Sequence, residues 1–225
     1  MKKLTPVWSL TRITRTIAIA AIAGLMLFTA QSCKKEDSSI PTLNSTKYLN
    51  LDASMRKLWA DHMQWTYATV DAFFNNSDPG ALQASLNRLL QNQKDIGAAI
   101  VPYYGQAAGD TLAALLTTHI NQAVPVLQAA KDNNQTALDA ALANWNANAE
   151  DIADFLSAAN PQNWQQSHMR DEMKEHISQT TTYAVDLLQK DYTKAVTDYG
   201  MAFDHMMHLA DELAQGIAKQ YPDKF

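Results

Sequence analysis

The chain holds a single cysteine, seven glycines and seven prolines in 225 residues, and each shortage excludes something. One cysteine, Cys33, excludes an intrachain disulfide and any metal site built from spaced cysteines. Few glycines and prolines, with no run of β-branched residues, leave no strand pattern and no low-complexity stretch. No glycine-rich phosphate loop and no nucleophile elbow around a serine is present. Basic side chains are also scarce, 18 against 23 acidic, for a net charge of −5. Four of the basic ones, Lys2, Lys3, Arg12 and Arg15, fall in the leading segment, so the remainder is more acidic still. That balance argues against nucleic acid and against an anionic bilayer face as partners.

The one long apolar run, IAIAAIAGLMLFTA at 17–30, follows a basic stretch and is too short to span a bilayer comfortably. It predicts a signal peptide over 1–32. The segment Thr29-Ala30-Gln31-Ser32-Cys33 resembles the lipobox of bacterial lipoproteins, with Ala30 and Gln31 where Leu and a small residue are usual. That resemblance implies lipid on Cys33 and a membrane anchor through it. The following KKEDSS resembles the short acidic tag of surface-exported lipoproteins, and the expected place is the cell envelope, at the outer membrane or the cell surface. Residues 33–47, polar with Pro41, read as a tether, and 48–225 as the folded domain.

From Tyr48 onward apolar residues recur at spacings of three and four, which predicts helices packed on one another. Six are expected, in an all-α up-and-down antiparallel bundle. The first covers 47–75 with a stripe through Leu58, His62, Trp65, Thr69 and Phe73. The second opens on Asp78 and Pro79 and is stopped by Pro102. A loop PYYGQAAG leads to a third capped by Asp110 and kinked at Pro125. The fourth covers 136–159, the fifth starts at Trp164, and the sixth starts at Asp191 with Tyr192, Val196, Tyr199, Phe203, Met206, Ala210, Leu213 and Ile217 facing inward.

Each odd helix carries a histidine on its stripe: His62, His119 and His176. Counting from the helix ends at about 1.5 Å per residue puts the three at one height, with Asn92, Asn148 and Asp204 level with them on the even helices. Such a polar layer must bind itself, water, a metal or a ligand. Three neutral imidazoles could hold a transition-metal ion, with Asp95, Asp151 or Asp204 supplying a carboxylate or orienting a ring. The paired Glu and Glu-x-x-His pattern of di-iron bundles is missing. His205 and His208, three apart on one helix, form a weaker pair on a solvated flank.

Two functions follow. One is a non-enzymatic binding or scaffold domain, favoured by the missing catalytic motifs; the other is a metal-binding protein or metalloenzyme using the histidine layer. The segments LWADHMQWT, NQKDIG, HINQA, NANAEDIADFL, HISQT and GIAKQYPDKF resemble those of a family of exported bacterial helical proteins without an assigned activity. Here Tyr67 stands where that family usually carries Arg. The resemblance covers nearly all of the expected mature chain, including His62, Asp95, His119, Asn148 and His176, and implies the fold rather than a reaction.

Overall fold

The structure is a computed structural model that describes residues 43–225 apart from Ser77. Cys33, the signal segment and most of the tether lie outside the described residues. Six α-helices follow in order: α1 (Thr46–Asn75), α2 (Pro79–Tyr104), α3 (Gln106–Lys131), α4 (Gln135–Ala159), α5 (Gln166–Gln189) and α6 (Tyr192–Gln220). A 3₁₀ turn, Pro222–Lys224, ends the chain. Among the described residues there is no strand, and no helix is long and apolar enough to cross a membrane.

Local chemistry sets the helix ends. Ser45, Asp78, Asn134 and Asp191 accept through their side chains from backbone N–H groups of the first turns of α1, α2, α4 and α6, the orphan donors every helix start leaves. Lys190 closes α5 in the left-handed conformation, with φ 63°.

Two expected breaks differ. Pro102 does not stop α2, which runs on to Tyr104, and the expected loop shrinks to Gly105 alone, at φ +85°. The helix survives its proline because the next turn is held from outside: Tyr103 stacks on Phe225 at 5.8 Å and Tyr104 meets Tyr221 at 5.5 Å. α3 starts at once at Gln106, ahead of Asp110, because Gly97 and Gly109 bring the two backbones together. A Cβ on Gly97 would lie 2.5 Å from the Gly109 carbonyl oxygen.

Each helix packs on its neighbours in the chain, and α6 closes back on α1, which also reaches α5. The result is an antiparallel up-and-down bundle closed into a ring, in which α1, α3 and α5 run the same way. Ring closure decides which stripe faces inward. On α6 the interior is lined by Ala195, Ala202, Met206, Ala210, Leu213, Ala214 and Ile217, whereas Tyr192 and Val196, expected inside, are 50% and 62% exposed. On α1, Trp59 and Met63 are buried, and Leu58, Trp65 and Phe73 are only half-buried. Alanines let α6 approach its neighbours closely, and that close approach rotates the bulky stripe outward.

Candidate functional site

His62, His119 and His176 converge in the bundle interior. All three are buried, and the His176 ring lies between the others, with ring centres 5.6 Å from His62 and 5.9 Å from His119. Trp59 meets His62 edge-on at 5.6 Å, and Trp145 lies 5.2 Å from His119. Three parallel helices thus each place one imidazole at a common level, with indoles at the two outer rings.

The hydrogen bonds around the layer fix two tautomers. Asn148 donates its amide to the Leu115 carbonyl at 3.3 Å, so its oxygen is the atom 2.9 Å from His119 Nδ1. An amide oxygen only accepts, hence His119 carries its proton on Nδ1 and leaves Nε2 a bare lone pair. On the other side Gln93 donates through Nε2 to the Leu89 carbonyl at 2.8 Å and to Asn92 Oδ1 at 3.3 Å. The same nitrogen lies 3.3 Å from His62 Nδ1; its two hydrogens are shared among these three acceptors, and because an amide nitrogen cannot accept, Nδ1 is the unprotonated nitrogen of His62 and the proton sits on Nε2. Asn92 holds this arrangement by donating to the Leu58 carbonyl at 2.9 Å.

Burial keeps the rings neutral. The His62 pKa is pushed down to about 3 and that of His119 to about 4, both chiefly by removal from water, with the charge of His119 adding to the effect at His62. His176 is lowered well below the ordinary value, again first by burial and then by the neighbouring imidazoles. The layer therefore offers neutral nitrogens and no cation at neutral pH.

Several polar atoms at this level have no partner: His119 Nε2, His176 Nδ1, Gln93 Oε1, Thr180 Oγ1 and the indole nitrogens of Trp59 and Trp145. Buried polar atoms are nearly always satisfied, so this concentration marks the layer as incomplete by itself. Above it, towards the α1–α2 turn, lies a cavity of about 80 Å³ lined by all three histidines, Thr180, Trp145 and aliphatic side chains. Among the described residues, none lining it is charged. Val124 on α3 and Val185 on α5, 39% and 37% exposed, stand at its rim.

The supporting residues divide. Asn92 and Asn148 take part in the layer as expected, joined by Gln93, which a glutamine on the apolar stripe of α2 could have flagged. Asp95 and Asp204 do not. Asp95 is half-exposed and held by Gln91 at 2.9 Å and Arg88 at 3.4 Å, and Asp204 and Asp151 are exposed. Asp95 and Asp151 each lie three residues, about 4.5 Å, further along their helices than Asn92 and Asn148, and Asp204 points away around α6. His205 is half-buried, its Nε2 3.1 Å from the Glu172 carbonyl, and His208 is exposed. Trp59 and Thr180 belong to the layer although the sequence pattern marked neither as part of it.

Among the described residues no three His, Cys, Asp or Glu side chains are grouped so as to hold a metal ion. The chain matches no protein-family profile, no curated protein and no solved structure, so a functional reading rests on the residues themselves.

Proposed function

We propose that this chain is a lipid-anchored, non-enzymatic binding protein of the bacterial cell envelope, whose bundle takes its ligand into the cavity above the histidine layer. The observation that carries the binding role is the coincidence of unpartnered, buried imidazole nitrogens with an apolar cavity that adjoins them. Ligand pockets combine mostly apolar walls with a few fixed polar atoms. A non-enzymatic role is supported by the lining, which offers neutral imidazoles but, among the described residues, no carboxylate, lysine or cysteine to exchange protons or form a covalent intermediate with them. The anchor rests on the signal segment and Cys33, since several acyl chains hold a protein where one is marginal.

The two parts are tested separately. Membrane fractionation of Cys33→Ala should move the protein from the membrane to the soluble fraction, and unchanged retention would end the anchor reading. Thermal denaturation of the purified domain with small neutral organic probes should raise its Tm in proportion to occupancy. No rise with any probe would end the binding reading.

One observation favours a second reading, a transition-metal ion on the histidine layer. His119, with Nδ1–H given to Asn148 and Nε2 free, has the arrangement of a metal-ligating histidine with its outer partner. His62 is arranged the other way, because Gln93 donates to its Nδ1, and binding through Nε2 would need that amide to turn and abandon the Leu89 carbonyl. Elemental analysis of the tag-free protein, followed by Tm measurement with added zinc or copper(II), decides between the two.

A further inference from the structure

The cavity above the histidines has polar neighbours but an apolar surface. His119 Nε2, His176 Nδ1 and Thr180 Oγ1 carry essentially no accessible surface, so these polar atoms lie behind the wall. The other threonines of the lining spend their hydroxyls on their own helices. Thr66 donates to the His62 carbonyl at 2.7 Å, Thr69 to the Trp65 carbonyl at 2.7 Å and Thr181 to the Ile177 carbonyl at 2.8 Å. The wall that remains is almost entirely carbon.

Such a wall selects its guest. A volume of about 80 Å³ has room for several waters, one needing roughly 10 to 15 Å³, but each water also needs about two to four polar partners. The wall offers almost none, so the space favours carbon over water. A carboxylate, phosphate or ammonium would give up its hydration there for no partner in return.

The lining is also long. It runs from His62 to Phe74 on α1, from His119 to Ala130 on α3 and from His176 to Leu188 on α5, roughly 16 to 18 Å along each helix at about 1.5 Å per residue. A chamber of about 150 Å³ accommodates benzene, and here about half that volume is drawn out over some three helical turns. The shape is a slot, narrow for a ring and long enough for about three to five carbons in line. Val124 and Val185, partly exposed, stand where it reaches the surface.

Resting on the binding role proposed above, we infer that the ligand is an unbranched hydrocarbon chain, seated lengthwise along the bundle above the histidine rings. It is held by dispersion and by removal of its surface from water, with no hydrogen bond to the layer. A small free alkane and the methyl end of an acyl chain share this chemistry, the polar head of the second staying outside the rim at Val124 and Val185.

The test uses the purified Cys33→Ala form, which can carry no acyl chain of its own on that residue, and four probes: n-pentane, cyclopentane, ethane-1,2-diol and decanoate below its micellar concentration. The two hydrocarbons are supplied at the same fraction of their aqueous saturation, so that shape decides between them. n-Pentane should raise the Tm. It should also move the methyl resonances of Ala123, Val126 and Leu127, which line the slot, while those of Leu213 and Ile217, beside the void of about 20 Å³, stay still. Cyclopentane should bind severalfold more weakly, and ethane-1,2-diol should not bind. Ala123→Val and Ala184→Val each add methyls to the wall and should weaken n-pentane binding severalfold, the second serving if the first fails to fold. Decanoate bound at the same methyls assigns the site to a chain end; n-pentane bound without it assigns the site to a free alkane.

Cyclopentane bound as tightly as n-pentane, or ethane-1,2-diol bound in its place, would overturn the chain inference and leave the binding role standing. Methyl shifts of equal size at Leu213 and Ile217 would overturn the placement of the chain in this slot. Absence of binding by all four probes would overturn both the inference and the binding role.

Discussion

The histidine layer divides the bundle into two ends built on different rules. At the end nearest the termini of the folded domain, space has been removed. Gly97 and Gly109 let α2 and α3 touch backbone to backbone, and the Trp164 indole lies so close to Gly216 that a Cβ there would overlap it. The void among Trp59, Trp164, Met55 and Ile217 is about 20 Å³. At the other end the walls are valine, leucine, alanine and threonine, and the cavity is about four times larger, at about 80 Å³. The sealed end uses glycine to bring large rings against backbone, whereas at the open end the buried Tyr183 packs to one side against Tyr67 and Tyr199 and leaves a cavity walled mainly by aliphatic side chains with Phe74 and Trp145. Close internal packing is concentrated on one side of the histidines and enclosed room on the other, while the larger recess at the terminal end, lined by Lys47, Tyr103 and Phe225, lies open on the surface.

Acid should break this arrangement with the largest effect. The folded-state pKa values of the three histidines lie below the ordinary value of about 6.5, so the unfolded chain binds more protons once the pH drops below that point. Their stability contribution is complete above about pH 6.5 and is lost as the pH falls towards 4 and 3, at up to about 1.4 kcal/mol per pH unit for each ring. His168, exposed and raised chiefly by its hydrogen bond to Glu212, acts in the opposite sense, weakened by solvent screening. Urea titrations between pH 7 and 5 should show the decline, and His176→Gln should reduce its slope by one ring's share. A slope unaltered in that variant would count against burial of a neutral His176.

Next in size are changes at the sealed end. Trp164→Ala should cost about 3 to 5 kcal/mol. Gly97→Ala should cost about 3 kcal/mol, because its new methyl meets backbone and the Ala113 Cβ rather than a flexible chain end. Denaturant midpoints at constant m-value report both, and losses below about 1 kcal/mol would show this end to be looser than described. At the open end, Ala123→Val should change stability by less than about 1 kcal/mol, because the added methyls enter existing space, and should weaken the binding of small neutral organic probes severalfold. A large destabilisation there would mean that the cavity closes in solution. The smallest effect is expected on the surface of the sealed end. Arg56 and Asp211 pair at 2.6 Å but remain partly exposed, so Arg56→Ala should cost under about 1 kcal/mol and less in high salt.

Much of this was legible in the sequence. Caps such as Asp78 and Asp191 announce their helices through side-chain acceptors, and the three histidines could be levelled because helical rise is nearly constant. Height along an axis carries no information about direction around it, which is why Asp204, level with the histidines by the count of residues, is exposed rather than part of the layer. The inward stripe of α6 was legible in its second half, Met206, Ala210, Leu213 and Ile217, but not in its first. Two neighbouring stripes compete there, a bulky one through Tyr192 and Val196 and a small one through Ala195 and Ala202. Closure against α1, more than a hundred residues earlier in the chain, selects the small one. Tautomers were beyond reach for the same reason, since each is dictated by an amide on another helix.

The closed ring also has a consequence for how the protein is made. α1 emerges first during synthesis, yet one of its flanks is covered only by α6, through contacts such as Arg56 with Asp211, 155 residues apart. The last turn of α2 likewise waits for Lys224, which donates to the Pro102 carbonyl next to the final residue. A growing chain therefore cannot close this ring until α6 and the turn after it have been made. Once α6 has been made, closure itself adds little delay, because helical bundles fold far faster than chains are synthesised.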